Sequence, residues 1–269
     1  GATSFNAARV IKNLGGRVQF FGFTRGFEQA VLKQLTAEEE LGAFDGLDGP
    51  SRVSLFFFQP SGRRDRPFVE VPLRPMNPTL SIEHADRLIQ HIDQHLPPAD
   101  PARGPAFVIL DGQVFPPIEE GRSMSIYYQR LITSLHHKGY QVLADFKPYL
   151  TAEEMHDICR ESSTHSIRSN PDIIKPNLEE FARFCGVREG KLRGQFSEIA
   201  RLALQYAREY LLSVAIVSMD KDGAIAAYRD ETGKYQVIHV PAPQIREVSP
   251  VASGDSLIGA FLWKRSQGA

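Results

Sequence analysis

Short apolar runs alternate with segments of helical periodicity along most of the chain. Runs of strand length, rich in Val, Ile, Leu and Ala, are at 107–110, 141–144, 172–174 and 214–217. Segments with apolar residues at helical spacing are at about 127–137, from Thr151, after Pro176, and at 198–212 with Ser197 as the cap. This alternation predicts an α/β protein with a mostly parallel sheet covered on both faces. In such sheets ligands bind at the carboxyl ends of the strands.

The remaining parts of the chain carry further elements. The same periodicities predict a strand at 17–21 and helices at 6–14, 27–41 and 81–96, the last capped by Ser81. They also predict a late antiparallel pair at 224–227 and 236–240, and a final helix that starts at Asp255. Strands at 53–58 and 68–71 flank a Pro-Ser-Gly turn, which is typical of a hairpin. Because this hairpin lies outside the alternation, we interpret about 50–75 as a lid.

Composition narrows the class of protein further. The 269 residues are enough for one α/β domain or two small ones. Lys and Arg number 31 against 32 Asp and Glu, a balance that favours neither nucleic acid nor an anionic membrane as a partner. No apolar run has the length of a membrane span, no signal peptide is evident, and the two cysteines lack metal-ligand spacing. These features predict a cytoplasmic protein with reduced cysteines.

The segment with the clearest chemistry is VSPVASGDSLIG at 248–259. Small residues let the backbone turn tightly, so that several N–H groups converge at a helix N-terminus and attract phosphate. Asp255 at the same place can take a proton from a hydroxyl group. The segment alone is equally consistent with an ordinary helix cap, because Ser, Gly and Asp are good capping residues.

Four segments, in order, resemble the signatures of the pfkB (ribokinase-like) carbohydrate kinases. They are GATSFNAARV at 1–10, KPNLEE at 175–180, VSMDKDGA at 217–224 and the segment at 248–259. The lysine-proline-asparagine form and the Gly-Asp-Ser ending resemble the 1-phosphofructokinase and tagatose-6-phosphate kinase branch most. The resemblance implies a ribokinase-like three-layer α/β/α sandwich with a mostly parallel sheet and a small β lid. It implies one kinase domain over 1–269, with the family's first strand and last helices beyond both ends.

The resemblance also implies roles for individual residues. Asp255 would be the catalytic base, and the amides of Ala252, Ser253 and Gly254 would form an anion hole. Substrate-binding positions would be Asn6, Gly1, Arg52 and Arg63. For the arginines, a solvated turn is the alternative interpretation.

A second group of residues would serve the nucleotide, and the implied cofactors are ATP and Mg²⁺. The nucleotide-binding positions would be Lys175, Asn177, Ser218, Asp220 and Gly223. Glu180 and Asn177 would hold Mg²⁺, through water, because this cation keeps much of its hydration shell. The alternative for this pair is a capping box at a helix start, since N-x-x-E is also the pattern of such a box.

Three departures from the family pattern bear on activity. Ala252 replaces a glycine of the anion hole, Thr3 stands where many relatives carry Lys, and Asp220 replaces a glycine near the phosphates. The function implied is transfer of the γ-phosphoryl group of ATP to a hydroxyl of a sugar or sugar phosphate, with a hexose phosphate favoured. A homodimer joined through the lid is a further expectation. A non-catalytic sugar- or nucleotide-binding relative and a nucleoside kinase are the alternatives.

Overall fold

The computed structural model describes residues 3–24, 30, 33–34, 37, 44–48, 55–60, 68–73, 81–111, 125–145, 151–160, 168–244 and 253–268. The chain forms two compact units. The first unit comprises Gly1–Ile92, Pro116–Glu120 and Gln244–Arg265, and the second comprises Asp93–Phe115, Gly121–Pro243 and Ser266–Ala269. Among the described residues, no helix is both long enough and apolar enough to span a membrane.

The helices and strands are numbered in chain order. The α-helices are α1 (Thr3–Asn13), α2 (Ile82–His95), α3 (Ser125–His137), α4 (Ala152–Cys159), α5 (Leu178–Phe184), α6 (Glu189–Leu192), α7 (Phe196–Glu209) and α8 (Ser253–Ser266). The strands are β1 (Phe20–Thr24), β2 (Phe44–Asp48), β3 (Leu55–Pro60), β4 (Phe68–Leu73), β5 (Phe107–Asp111), β6 (Gln141–Asp145), β7 (Ile173–Ile174), β8 (Val214–Ser218), β9 (Ala224–Arg229) and β10 (Tyr235–Val240). Short 3₁₀ helices lie at Pro101–Arg103 and Asp220–Asp222.

The described part of the first unit contains two small sheets. β3 and β4 pair antiparallel, which confirms the predicted hairpin, and β1 pairs with β2 in parallel. The strand predicted at 17–21 lies three residues later, at Phe20–Thr24, and β2 was not predicted at all. Of the helix predicted at 27–41, residues 30, 33, 34 and 37 are described and all are helical. Ala8 and Phe20 form a buried contact in this unit, with the ring of Phe5 stacked on Phe20.

A six-stranded sheet organises the second unit, in the order β10-β9-β8-β7-β6-β5. β5 to β8 are parallel, while β9 and β10 form the predicted antiparallel pair at one edge. Consecutive residues of β6 and β8 are buried although they point to opposite faces, so both faces of these strands are covered. The prediction of a mostly parallel sheet flanked by helices is therefore confirmed.

Helix boundaries follow the capping chemistry in most places. The hydroxyl of Ser81 accepts a hydrogen bond from the N–H of His84 at the start of α2, as predicted. Thr151 caps α4 in a full capping box with Glu154. The prediction of Ser197 as the cap of α7 was wrong, because the carbonyl of Gln195 accepts from the N–H groups of Glu198 and Ile199, and α7 begins at Phe196.

Candidate functional site

The first turn of α8 contains both Asp255 and backbone N–H groups that have no acceptor within the helix. α8 begins at Ser253, two residues earlier than predicted, so Asp255 is its third residue. The first four N–H groups of a helix have no intrahelical acceptor, and the amides of Ser253 and Gly254 belong to that set. The predicted anion hole stays a prediction, and two of its three amides, those of Ser253 and Gly254, lie in the first turn of α8 rather than ahead of it. Ala252 lies outside the described residues.

Asn6 and Asp255 meet although they are 249 residues apart in the chain. The side-chain Nδ2 of Asn6, on α1, donates a hydrogen bond to Oδ2 of Asp255 at 2.8 Å. Both side chains are partly exposed, so the pair is accessible from solvent. The first and last of the four signature segments thus converge on one hydrogen bond. The other predicted substrate-binding positions, Gly1, Arg52 and Arg63, lie outside the described residues.

A second convergence lies at the carboxyl ends of β7 and β8. Asn177 forms an isolated parallel bridge with Ser218, and the N–H of Ser218 donates to the carbonyl of Pro176 at 3.1 Å. The remaining two signature segments are therefore neighbours. This edge is where parallel sheets place their ligands.

Asn177 and Glu180 form a capping box at the start of α5. Oδ1 of Asn177 accepts from the N–H of Glu180 at 2.8 Å, and Oε2 of Glu180 accepts from the N–H of Asn177 at 2.8 Å. The capping alternative from the sequence is thus confirmed as a structural role. Asn177 is exposed, whereas the Glu180 residue is only 5% exposed. Within the described part of the chain, no group of three or more His, Cys, Asp or Glu side chains is placed to hold a metal ion.

Lys175 forms a buried ion pair with Asp145. The Nζ to Oδ1 distance is 3.2 Å, and both side chains are more than nine-tenths buried. Asp145 ends β6 and Lys175 directly follows β7, its neighbour in the sheet, so the pair lies at the carboxyl edge. A buried charge requires a partner of opposite sign, and each supplies it for the other. Sequence reasoning missed this pairing, although an acid directly after a buried strand was a signal for it.

The backbone conformation of the loop after β8 accounts for the residue types at two of the predicted nucleotide-binding positions, Asp220 and Gly223. Asp220 has φ +56°, a left-handed conformation that glycine adopts more readily, which accounts for the glycine in the family pattern. Gly223 has φ +87°, and a Cβ there would lie 2.0 Å from the carbonyl oxygen of Val240. Gly223 is therefore required by the close approach of β10, whatever its part in binding a nucleotide.

A cluster of charged side chains, Asp172, His136 and Arg168, lies at the amino end of β7, the opposite end of the strand from Lys175. Burial alone would raise the pKa of Asp172, but hydrogen bonds from His136 and from the N–H of Val142, together with the charges of His136 and Arg168, outweigh it. The pKa of Asp172 therefore lies below its ordinary value. His136 also bonds the carbonyl of Arg168 through Nδ1 at 2.9 Å, so the cluster ties α3 to the segment before β7. We interpret it as structural.

The arrangement of the sheet and helices is that of the ribokinase-like α/β fold. Three structures of Escherichia coli phosphofructokinase-2 are similar. The tetrameric inhibited form has a TM-score of 0.74 at 17% identity and covers 98% of this chain and 75% of that chain. The complex with substrates and products has a TM-score of 0.74 at 18% identity, and the match covers 98% of this chain and 74% of that chain. The complex with fructose-6-phosphate has a TM-score of 0.73 at 17% identity, and the match covers 98% of this chain and 75% of that chain.

A likeness at such low identity establishes the fold, and the family comes from the sequence. The profile described as pfkB family carbohydrate kinase matches residues 110–269, more than half of the chain. This chain belongs to the pfkB family of carbohydrate kinases. The fold class and family expected from the four segments are thereby confirmed. The assignment to the 1-phosphofructokinase and tagatose-6-phosphate kinase branch stays a prediction.

Proposed function

We propose that the protein transfers the γ-phosphoryl group of ATP to a hydroxyl of a sugar or sugar phosphate, with Asp255 as the general base. The observation that carries this proposal is the Asn6–Asp255 hydrogen bond in the first turn of α8. It places a carboxylate and an amide side chain at the start of a helix, where the first N–H groups have no intrahelical acceptor. Phosphoryl transfer needs little more from a protein than positioning and charge stabilisation.

Each group at the start of α8 has a defined part in the proposed reaction. Oδ2 of Asp255 accepts from Asn6, and no described residue donates to Oδ1, which is the atom we assign to receive the proton of the attacking hydroxyl. The N–H groups of Ser253 and Gly254, with the positive end of the helix dipole, stabilise the negative charge on the phosphoryl oxygens. Asn6 contacts the acceptor sugar while it orients the carboxylate.

The nucleotide contacts are assigned to the carboxyl edge of the six-stranded sheet. Asn177 and Ser218 are neighbours there and offer an amide and a hydroxyl group to phosphates, and Lys175, which is buried and paired with Asp145, is the third residue that we assign to this region. Carboxylate and amide oxygens suit Mg²⁺, and Glu180 and Asn177 would hold it through water. When bound, the ion neutralises charge on the phosphates. Asp220 and Gly223, in the loop after β8, would border the same phosphates.

A hexose phosphate is the favoured acceptor. Support comes from Escherichia coli phosphofructokinase-2, which has been crystallised with fructose-6-phosphate and shares the fold. Arg52 and Arg63 are the residues we assign to the acceptor's phosphate, because guanidinium groups bind phosphate bidentately. A cytoplasmic location and a homodimer joined through the lid belong to the same proposal.

The main alternative is a non-catalytic relative that binds a sugar or nucleotide. The observation in its favour is the negative charge of Asp220, exposed in the loop after β8. A nucleoside kinase is the other alternative, and both can be tested by one experiment.

Release of ADP from ATP should be measured over a panel of hexoses, hexose phosphates and nucleosides. We expect turnover with a hexose phosphate, and a loss of about 10²- to 10⁴-fold in kcat for Asp255→Asn, as is typical for removal of a general base. Asp157→Asn, the same substitution at a partly exposed site on α4, should retain full turnover. Near-normal turnover by Asp255→Asn would refute the assigned base. Turnover with nucleosides alone would favour the second alternative.

A further inference from the structure

α1 and α8 approach each other closely at Gly259. This residue is buried, and a Cβ at its position would lie 2.6 Å from the carbonyl oxygen of Ala7 and 2.9 Å from Cβ of Val10. The first of these contacts is with backbone, which a side-chain rotation cannot relieve. Glycine inside a helix costs about 1 kcal/mol relative to alanine, so its presence in an apolar helix indicates a packing requirement.

The close approach lies directly beside the Asn6–Asp255 hydrogen bond. Val10 follows Asn6 by four residues on α1, and Gly259 follows Asp255 by four residues on α8. Residues four apart lie on the same helix face, about one turn from each other. The two contacts are therefore about one helical turn apart on both helices.

We propose that Gly259 is a positioning residue that holds Asn6 and Asp255 within hydrogen-bond distance. This inference rests on the proposed function for its catalytic consequence, but the geometric part stands without it. An added methyl group would force the helices apart until Cβ and the Ala7 oxygen reach about 3.4 Å, an opening of about 0.8 Å. The same opening would stretch the hydrogen bond to about 3.6 Å, which no longer counts as one.

The geometric part can be measured without turnover by the NMR signal of the Asn6 side-chain amide. Its resonance is assigned from its absence in Asn6→Ala, and its position in Asp255→Ala defines the broken hydrogen bond. We expect Gly259→Ala to move the resonance toward the Asp255→Ala position. The matched control is Gly190→Ala on α6, where an added Cβ would meet nothing within 4 Å. That variant should leave the resonance in place.

The kinetic part follows from the same displacement. Misplacing a reacting group by about 1 Å costs on the order of 10²-fold in rate, so Gly259→Ala should lower kcat by about that factor. The KM for ATP should change less than about twofold, because the candidate nucleotide contacts are on the six-stranded sheet. A merely destabilising substitution would lower the melting temperature without this division between kcat and KM.

The results of these measurements distinguish the positioning role of Gly259 from the proposed phosphoryl-transfer function. A folded Gly259→Ala with an unmoved Asn6 resonance overturns the positioning role. A moved resonance in a protein that phosphorylates nothing leaves the positioning role intact and refutes the proposed function. If Gly259→Ala does not fold, Val10→Ile decides, because it adds one methyl group to the side chain that lies beside Gly259. It should move the resonance in the same direction by a smaller amount, and no movement overturns the inference.

Discussion

Glu180 has one observed role, as a helix cap, and one proposed role, in the Mg²⁺ region, and different substitutions can separate them. Its carboxylate accepts from the N–H of Asn177 in the capping box of α5, and we assign the same carboxylate to Mg²⁺. Glu180→Gln keeps an acceptor oxygen for the cap but removes the charge, because capping boxes accept either residue. Glu180→Ala removes both. The pair of variants therefore distinguishes a helix cap from a residue of the metal region.

The expected loss of unfolding free energy follows from the capping hydrogen bonds that each substitution removes. Loss of a cap costs about 1 kcal/mol, and truncation of the 5% exposed Glu180 side chain leaves an additional void, so Glu180→Ala should lose about 2 kcal/mol of unfolding free energy. Glu180→Gln should stay within about 0.5 kcal/mol of the wild type. The structure offers a matched box at Thr151 and Glu154 on α4, where the same hydrogen bonds form. Glu154→Ala should lose about 1 kcal/mol, and Glu154→Gln almost nothing.

The assays are urea unfolding and ADP release as a function of Mg²⁺ concentration. Changes around a metal's immediate ligands typically weaken affinity about 10- to 100-fold. We therefore expect Glu180→Gln, although as stable as the wild type, to need at least about tenfold more Mg²⁺ for half-maximal turnover. Both Glu154 variants should respond to Mg²⁺ as the wild type does. If Glu180→Gln also responds like the wild type, Glu180 only caps α5 and the metal assignment is wrong.

Two further predictions concern residues on the second unit. Asp220→Asn and Asp220→Gly both remove a charge while tolerating φ +56°, so each should lower the KM for ATP by roughly two- to fivefold, the size of an exposed charge interaction. A change in Asp220→Gly alone would instead indicate a backbone effect. Because the pKa of Asp172 is lowered on folding, its stabilising effect is present above the ordinary Asp pKa of about 4 and is lost as pH falls through the folded-state value. The stability difference between the wild type and Asp172→Asn, from urea unfolding at several pH values, should be largest at neutral pH and shrink on acidification. A difference independent of pH would contradict this account.

The second unit could be predicted well from the sequence because its strands are buried on both faces. Burial of this kind produces short continuous apolar runs, such as Val214–Ser218, that stand out against helical periodicity. In the first unit the strand Phe44–Asp48 gave no such signal, because Asp and Gly are poor strand formers. It forms by pairing with Phe20–Thr24, a non-local contact that periodicity does not report.

The candidate site shows the same difference between local and non-local information. Sequence resemblance identified Asn6, Asp255 and Lys175 individually, because each lies in a recognisable local segment. It could not indicate that Asn6 bonds Asp255 or that Lys175 pairs with Asp145, since those contacts depend on how distant segments pack. Family patterns specify residue types at positions, whereas the pairing of their side chains is a property of the folded chain.

The alternatives of cap and ligand for Asn177 and Glu180 are therefore not exclusive. A carboxylate that accepts a backbone hydrogen bond has already lost rotamer freedom on folding, so less entropy remains to be lost when it orders water around a cation. The capping box also fixes which oxygen of Glu180 faces the backbone, Oε2. A local helix signal and a predicted site residue can coincide here because the same hydrogen bonds that begin α5 orient the carboxylate at the carboxyl edge of the sheet.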